Sequence, residues 1–333
     1  MMRLFLLMTV LISSAGCQEP TECCGPPVVG ASIGLVGDPA DVTTTTQGGF
    51  VLMGGSTDVD PAMQWMIERS GGGDFVILRA SGSTGYNSYV FGLGTVNSVE
   101  TLLINSREKA LLPETGQRIR QAEAVFIAGG DQASYVNFWA DSEVSAAIHY
   151  LIAEKKVPIG GTSAGCAILS DYIFDARQGS VTSAEALANP YAPAVSLSKS
   201  FVRIPFLTNT VADQHYSQRE REGRHVAFLA RLQKDFGISN PRGIGVDEQT
   251  AVCIDAEGQI VVFGAGSAHF LQARGTAERC LPEASLNWIN NQEAIQVNSI
   301  HGSATGTAAF PVHAWPTTGA FWFVESGVLK RDP

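Results

Sequence analysis

The sequence predicts an α/β fold, a mostly parallel sheet with helices on both faces. Three observations carry that expectation. The candidate strands are short, continuous apolar runs of the kind buried on both faces rather than alternating ones. They alternate with helical patterns, as parallel strands joined by crossover helices require. Several end in glycine turns, and in such sheets ligands collect beyond the carboxyl ends of the strands.

Taken in order, Gly49-Phe-Val-Leu-Met-Gly-Gly55 reads as a buried strand closing in a glycine turn. Asp60-Pro61 starts a helix through Arg69, with Asp60 as cap and proline at the first position, where its missing N–H costs nothing. Asp74–Leu78, Thr101–Ile104 and Ala124–Ala128 are further strands, with a helix over Glu114–Glu123 between the last two. The helical span Ser142–Glu154 ends at Lys155-Lys-Val-Pro158, and a strand around Val157–Gly160 follows, although Pro158 suits the first residues of a strand better than its middle. Tyr172–Phe174 reads as strand or helix end, Val181–Pro190 as a loop with a short helix, and Phe201–Leu207 and Thr208–Ala212 as two strands. A helix over Ser217–Phe236 precedes Gly243–Asp247, Ala251–Asp255 and Ile260–Phe263, which read as an antiparallel meander.

The flanks are organised differently. Met1-Met-Arg3, the apolar run Leu4–Ile12 and the small residues Ser13–Gly16 before Cys17 have the form of a signal peptide, with an apolar run too short to span a bilayer. A small-residue run ending in cysteine is similar to a bacterial lipobox, so residues 1–17 are expected to be removed and Cys17 lipidated, despite Ser14 where leucine is usual. Residues 18–47, rich in Pro, Gly and Thr, read as a flexible linker, 48–275 as the main domain and 276–333 as a carboxyl-terminal extension packed on it. The expected location is the cell envelope or the exterior. The six cysteines show no zinc spacing; Cys253 with Cys280 is the expected first choice for a disulfide, and Cys166 reads as core. A net charge of −10 over 333 residues argues against a nucleic-acid partner.

Chemistry concentrates around Gly161-Thr-Ser163-Ala-Gly165, a G-x-S-x-G pattern in which glycines let a strand turn sharply into a helix and present the serine hydroxyl. A serine nucleophile needs a base. His149 and His225 lie in helical patterns and read as structural, whereas His215 follows a strand-like run and opens a polar loop, which favours it over His269, His301 and His313. Beyond it, Arg219, Arg221 and Arg224 are spaced as a solvated helix face or, beside a catalytic histidine, as a receptor for carboxylates.

Gly129-Gly-Asp-Gln132, Gly161–Gly165 and Asp213-Gln-His-Tyr-Ser-Gln-Arg-Glu-Arg-Glu-Gly-Arg224, in that order, resemble the cyanophycinase and peptidase E family of serine peptidases. Ser183–Tyr191 and Gly243-Ile-Gly-Val-Asp-Glu248 resemble further segments of the cyanophycinase branch. The resemblance implies a flavodoxin-like fold related to class I glutamine amidotransferases. It implies Ser163 as nucleophile and His215 as base, with Gln132, Asp213, Gln214, Arg219, Arg221 and Arg224 shaping the substrate pocket. The triad acid is expected after the nucleophile, at Glu185, with Asp171 or Asp175 as alternatives. The expected reaction is acyl transfer without a metal or other cofactor, the amides of Ala164 and of Gly129 or Gly130 holding the oxyanion. The implied substrates are aspartyl peptides or a cyanophycin-like polymer. Rival readings are a peptidase E-like α-aspartyl dipeptidase and a noncatalytic lipoprotein that binds acidic peptides. A homodimer is compatible with all three.

Overall fold

The computed structural model describes residues 30–331; the expected signal segment, Cys17, Cys23 and Cys24 lie outside them. Among the described residues, seventeen strands form two mixed sheets instead of one mostly parallel sheet. In chain order they are β1 (Ser32–Gly37), β2 (Gly49–Met53), β3 (Asp74–Arg79), β4 (Ser98–Leu103), β5 (Ala124–Ile127), β6 (Pro158–Thr162), β7 (Tyr172–Phe174), β8 (Leu197–Lys199) and β9 (Thr210–Gln214). There follow β10 (Arg242–Val246), β11 (Thr250–Asp255), β12 (Gln259–Gly264), β13 (Ser267–Ala273), β14 (Ile295–His301), β15 (Thr307–Pro311), β16 (Ala320–Glu325) and β17 (Val328–Arg331).

The first sheet runs β1-β4-β3-β5-β6-β2-β11-β12-β15. Its centre, β4-β3-β5-β6-β2, is parallel, and β1, β11, β12 and β15 are antiparallel additions. Phe50 and Leu52 enter one core, while Val51 and Met53, pointing the other way, enter a second with Met63 and Met66 of the helix Asp60–Arg69. The continuous apolar run of β2 thus reflects burial on both faces. Pro158 is tolerated because it is the first residue of β6.

The second sheet runs β17-β16-β14-β13-β10-β9-β7-β8, parallel only across β10-β9-β7. One face meets the first sheet's core through Ala212, Ile244, Val246 and Phe270. The other packs against the helix Glu222–Phe236, with Trp288 and Trp322.

One expectation needs correction at the flanks. Residues 32–37, placed in the linker, form β1, because pairing with β4 gives this segment backbone partners that composition does not register. The carboxyl-terminal segment, expected to pack on the main domain, adds strands to both sheets by antiparallel pairing: β14, β16 and β17 extend the second and β15 the first. Phe201–Leu207 forms no strand, and the expected helix from Ser217 is a 3-10 turn, Ser217–Arg219, followed by Glu222–Phe236. Among the described residues there is no disulfide. Cys253 and Cys280 are buried in separate cores, and Cys166 is core as expected, with burial raising its thiol pKa.

Candidate active site

Ser163 joins β6 to a helix of only four residues, Ala164–Ala167. Its φ of 52° lies in the left-handed region, which a side chain tolerates at a cost of about 1–3 kcal/mol. The flanking glycines explain how the strain persists. A Cβ on Gly165 would stand 2.1 Å from the Ile127 carbonyl oxygen, and one on Gly161 would stand 2.6 Å from the Gly165 carbonyl. Only hydrogen at both positions lets the turn sit directly on β5. The short helix brings little macrodipole to the site; what it offers is the amide of Ala164, which as the first helical residue has no intrahelical acceptor.

His215 follows β9 of the second sheet, also at positive φ (48°). Its amide donates to the Gly54 carbonyl at 2.8 Å, tying the turn after β2 to the end of β9. The imidazole Nε2 lies 2.8 Å from Ser163 Oγ. Its Nδ1 lies 2.6 Å from Glu248 Oε1.

Glu248 occupies the turn between β10 and β11, where the chain passes from the second sheet to the first. Gln218 Oε1 accepts from its amide at 2.9 Å. The neighbouring Asp247 accepts from the amides of Ser217 and Ser267 at 2.9 and 3.0 Å, fixing the turn to the loop after His215. Glu185, the expected acid, is elsewhere. It stands exposed in the first turn of the helix Ser183–Ala188, its carboxylate accepting from the amide and hydroxyl of Thr182 in a capping box. Those hydrogen bonds hold its carboxyl below the usual carboxylate range. The alternatives are also engaged: Asp171 accepts from the Asn209 amide and pairs with Lys199, and Asp175 accepts from Ser196.

Burial lowers the pKa of His215. The hydrogen bond to Glu248 pulls it back up and the charges of Arg219 and Arg221 lower it further, leaving it below the ordinary imidazole range. The ring is therefore a neutral acceptor near neutral pH.

Gly55, unremarked in the sequence beyond its turn, is part of the site. At φ 100° it packs so closely that a Cβ there would stand 2.5 Å from the His215 ring and 3.1 Å from Ser163 Cβ. Gly129 lies across the serine, its would-be Cβ 3.9 Å from Ser163 Oγ. The Tyr135 hydroxyl donates to the carbonyls of Ala128 and Gly129 at 2.7 and 3.1 Å. Because the peptide is planar and trans, the amides of Gly129 and Gly130 then point away from Tyr135.

A cavity of about 350 Å³ opens beside Ser163 and His215, lined also by Asp131, Gln132, Phe174, Gln214 and the three arginines. The arginines are not equivalent. Arg224 is 2% exposed and grips Asp213 with Nε and Nη2 at 2.7 and 2.6 Å. Arg221 donates to the Gln214 carbonyl at 2.7 Å and lies 3.4 Å from the same Asp213; burial pushes its pKa down to about 10. Arg219 is exposed at the cavity mouth, with no carboxylate partner among the described residues. Asp213, expected to contact substrate, is instead the buried counter-ion of this group. Burial alone would raise its pKa, but Arg224 and Arg221 hold it below the usual range. Gln132 donates to the Phe174 carbonyl at 3.4 Å, and Gln214 Oε1 is buried without a partner among the described residues.

The profile of Peptidase family S51 matches residues 87–262, just over half of the chain. The chain belongs to that family. It is accordingly a serine-type peptidase. A cyanophycinase of Synechococcus elongatus is 27% identical over 252 residues, covering 71% of this chain and 73% of its own. A probable alpha-aspartyl dipeptidase of Drosophila melanogaster is 24% identical over 179 residues, covering 53% of this chain and 68% of its own. Among solved structures, a peptidase from an acI-B1 Actinobacterium superposes with a TM-score of 0.53 at 15% identity, over 80% of this chain and 98% of that one. At that identity the likeness speaks to the fold.

His225 and His149 are structural, as expected. The first is fully buried between the Tyr216 hydroxyl and the Val211 carbonyl, and the second meets the Arg203 amide.

Proposed function

We propose that this S51 peptidase hydrolyses aspartyl peptides or a cyanophycin-like polymer through an acyl-enzyme, with Ser163 as nucleophile, His215 as base and Glu248 as the acid that orients it. The observation that carries the reading is the continuous series Glu248 Oε1 to His215 Nδ1 at 2.6 Å and His215 Nε2 to Ser163 Oγ at 2.8 Å. Neutral His215 takes the hydroxyl proton as Ser163 attacks the carbonyl. The amides of Ala164 and of Gly129 or Gly130 receive the developing oxyanion. The protonated imidazole, steadied by Glu248, returns the proton to the leaving amine, and water resolves the ester by the same relay in reverse.

Arg219 and Arg221 support a substrate carboxylate beside the serine, since guanidinium groups bind carboxylates in bidentate fashion and Arg219 has no carboxylate partner among the described residues. Arg224 and Asp213 act behind them, holding the arginine cluster at one distance from His215. The flavodoxin-like reading of the parallel core rests on β3, β4, β5 and β6, whose spatial order corresponds to 2-1-3-4; the fifth place is taken by β2. Export with lipidation at Cys17 accords with degradation of an external polymer. A dipeptidase restricted to α-Asp peptides is the second reading, favoured by the small cavity of about 350 Å³.

Incubation of protein lacking Met1–Pro20 with cyanophycin and, separately, with α-Asp dipeptides separates the two, with Ser163→Ala alongside and products identified by mass spectrometry. Release of β-Asp-Arg by the wild-type sequence alone is the expected result. Cleavage of α-Asp dipeptides only would move the assignment to the dipeptidase, and no cleavage of either would remove the proposal.

A further inference from the structure

A cavity larger than the one at Ser163 lies elsewhere in the fold. A cleft of about 740 Å³ lies at the other end of β9 and β10, where Asn209, Arg242, Gln272, Arg274, Gln296 and Trp315 line it. Arg242 is the first residue of β10 and pairs with Thr210, the first of β9, whereas His215 follows the last residue of β9. The cleft and the catalytic groups are therefore separated by the length of a five-residue strand, about 15 Å. The outer wall is the segment 313–317, from the carboxyl-terminal part of the chain.

Its charge is unusual for this protein. The chain carries 32 acidic residues against 22 basic ones, yet the lining holds two arginines and a histidine, His313, and no Asp or Glu. Both arginines are held in place, and among the described residues neither has a carboxylate partner. Arg242 Nε donates to Gln272 Oε1 at 3.1 Å and its guanidinium lies 4.7 Å from the Trp315 ring centre. Arg274 Nη1 donates to Gln296 Oε1 at 3.0 Å, and its guanidinium lies 5.7 Å from the Phe321 ring centre. The two glutamines are themselves anchored by backbone carbonyls: Gln272 Nε2 donates to that of Asn240 at 3.2 Å, and Gln296 Nε2 to those of Pro316 and Thr318 at 2.7 and 2.9 Å. Gln272 and Gln296 face each other across β13 and β14. The indole N–H of Trp315 is buried with no acceptor among the described residues.

A half-buried cation without a counter-charge costs free energy that an anionic ligand returns. Two guanidinium forks held on neutral side chains and aromatic faces suit planar carboxylates rather than a diffuse charge. We propose that this cleft is a second, noncatalytic binding site for the carboxylates of an acidic peptide chain, anchoring a long substrate away from Ser163. The identity of the occupant as peptide rests on the aspartyl-peptide reading of the active site; the carboxylate chemistry does not.

The test uses the Ser163→Ala protein, which holds ligand without turnover, and N-acetyl hexa-aspartate as probe in titration calorimetry. Two peptides per chain are expected. Arg274→Gln should remove one, weakening that site at least tenfold, while Arg274→Lys retains part of it and Arg219→Gln removes the other. With Ser163 intact, Arg274→Gln should leave hydrolysis of an α-Asp dipeptide within about twofold of the parent. A second measurement needs no variant at the cleft: the hexapeptide should slow phenylglyoxal modification of Arg242 and Arg274 at least tenfold, read by peptide mapping. A single peptide per chain that Arg274→Gln leaves unaffected, with no protection of either arginine, would overturn the cleft even where dipeptide is cleaved. Binding of free aspartate or of oligogalacturonate there as tight as the hexapeptide would overturn the peptide occupant. Loss of dipeptide hydrolysis in the parent, with the second site intact, would strike only the proposed activity.

Discussion

The turn that carries Ser163 and the turn that carries Glu248 serve one hydrogen-bonded series, but they are built in opposite ways. The serine sits between β6 of the first sheet and the short helix that follows it, at a left-handed φ made possible by glycines two positions to either side. Glu248 sits where the chain crosses between sheets, and its position depends on Gln218, Ser217 and Ser267, which are distant in sequence or belong to other elements. Local strain makes the nucleophile rigid, whereas long-range hydrogen bonds aim the acid. Substitutions should separate the two: a change at the elbow acts on chemistry and stability in opposite directions, and a change at the acid acts mainly on chemistry.

The largest effect is expected at the elbow itself. Ser163→Ala should lower kcat on the order of 10⁶-fold, the loss seen when an acyl-transfer nucleophile is removed. Ser163→Gly should be equally inactive yet melt at a higher temperature, because glycine adopts φ 52° without penalty and regains about 1 kcal/mol. A lower melting temperature than that of Ser163→Ala would contradict the strain. Gly55→Ala comes next. Its methyl would enter the His215 ring space, so turnover should fall on the order of 100-fold with a loss of stability of about 1–3 kcal/mol, measurable by denaturant titration alongside kcat.

A smaller effect concerns pH. Since the folded pKa of His215 is depressed, the base stays neutral, and kcat/KM stays high, as pH falls to values where a free imidazole would already be charged. The activity is lost only as pH drops through that depressed value. Arg219 contributes to the depression, so Arg219→Gln should move the acid limb of the kcat/KM profile to higher pH. A shift to lower pH would show that the charge is not felt at the imidazole.

The same contrast explains which parts were legible in the sequence. Gly161, Ser163 and Gly165 are recognisable because their geometry is decided by neighbours in the chain, and so is β2, whose apolar run records burial on two faces. His215 and the pocket arginines were found through the motif and its placement after a strand. Glu248 was not, although the Gly243–Glu248 segment was noticed: assigning it needs the knowledge that β10 and β11 belong to different sheets, which a run of strand, turn, strand does not reveal. The signal available was a carboxylate two residues past a buried strand's carboxyl end, next to Asp247. Glu185 satisfied the expected order along the chain but is spent on its own helix cap. Gly55 was visible only as a turn residue, since its contact with His215 joins sites 160 positions apart. The two-sheet division itself was hidden because β9 and β10 are parallel and buried, like the central strands of the first sheet.

The central claim is that Glu248, and not Glu185, completes the series on Ser163 and His215. It is tested most directly by comparing kcat/KM of Glu248→Gln and Glu185→Gln on one soluble aspartyl dipeptide. The account predicts a loss on the order of 10²–10⁴-fold for Glu248→Gln, as for other triads deprived of their acid, and a change within about threefold for Glu185→Gln. A large loss at Glu185 with Glu248→Gln near the parent would contradict it.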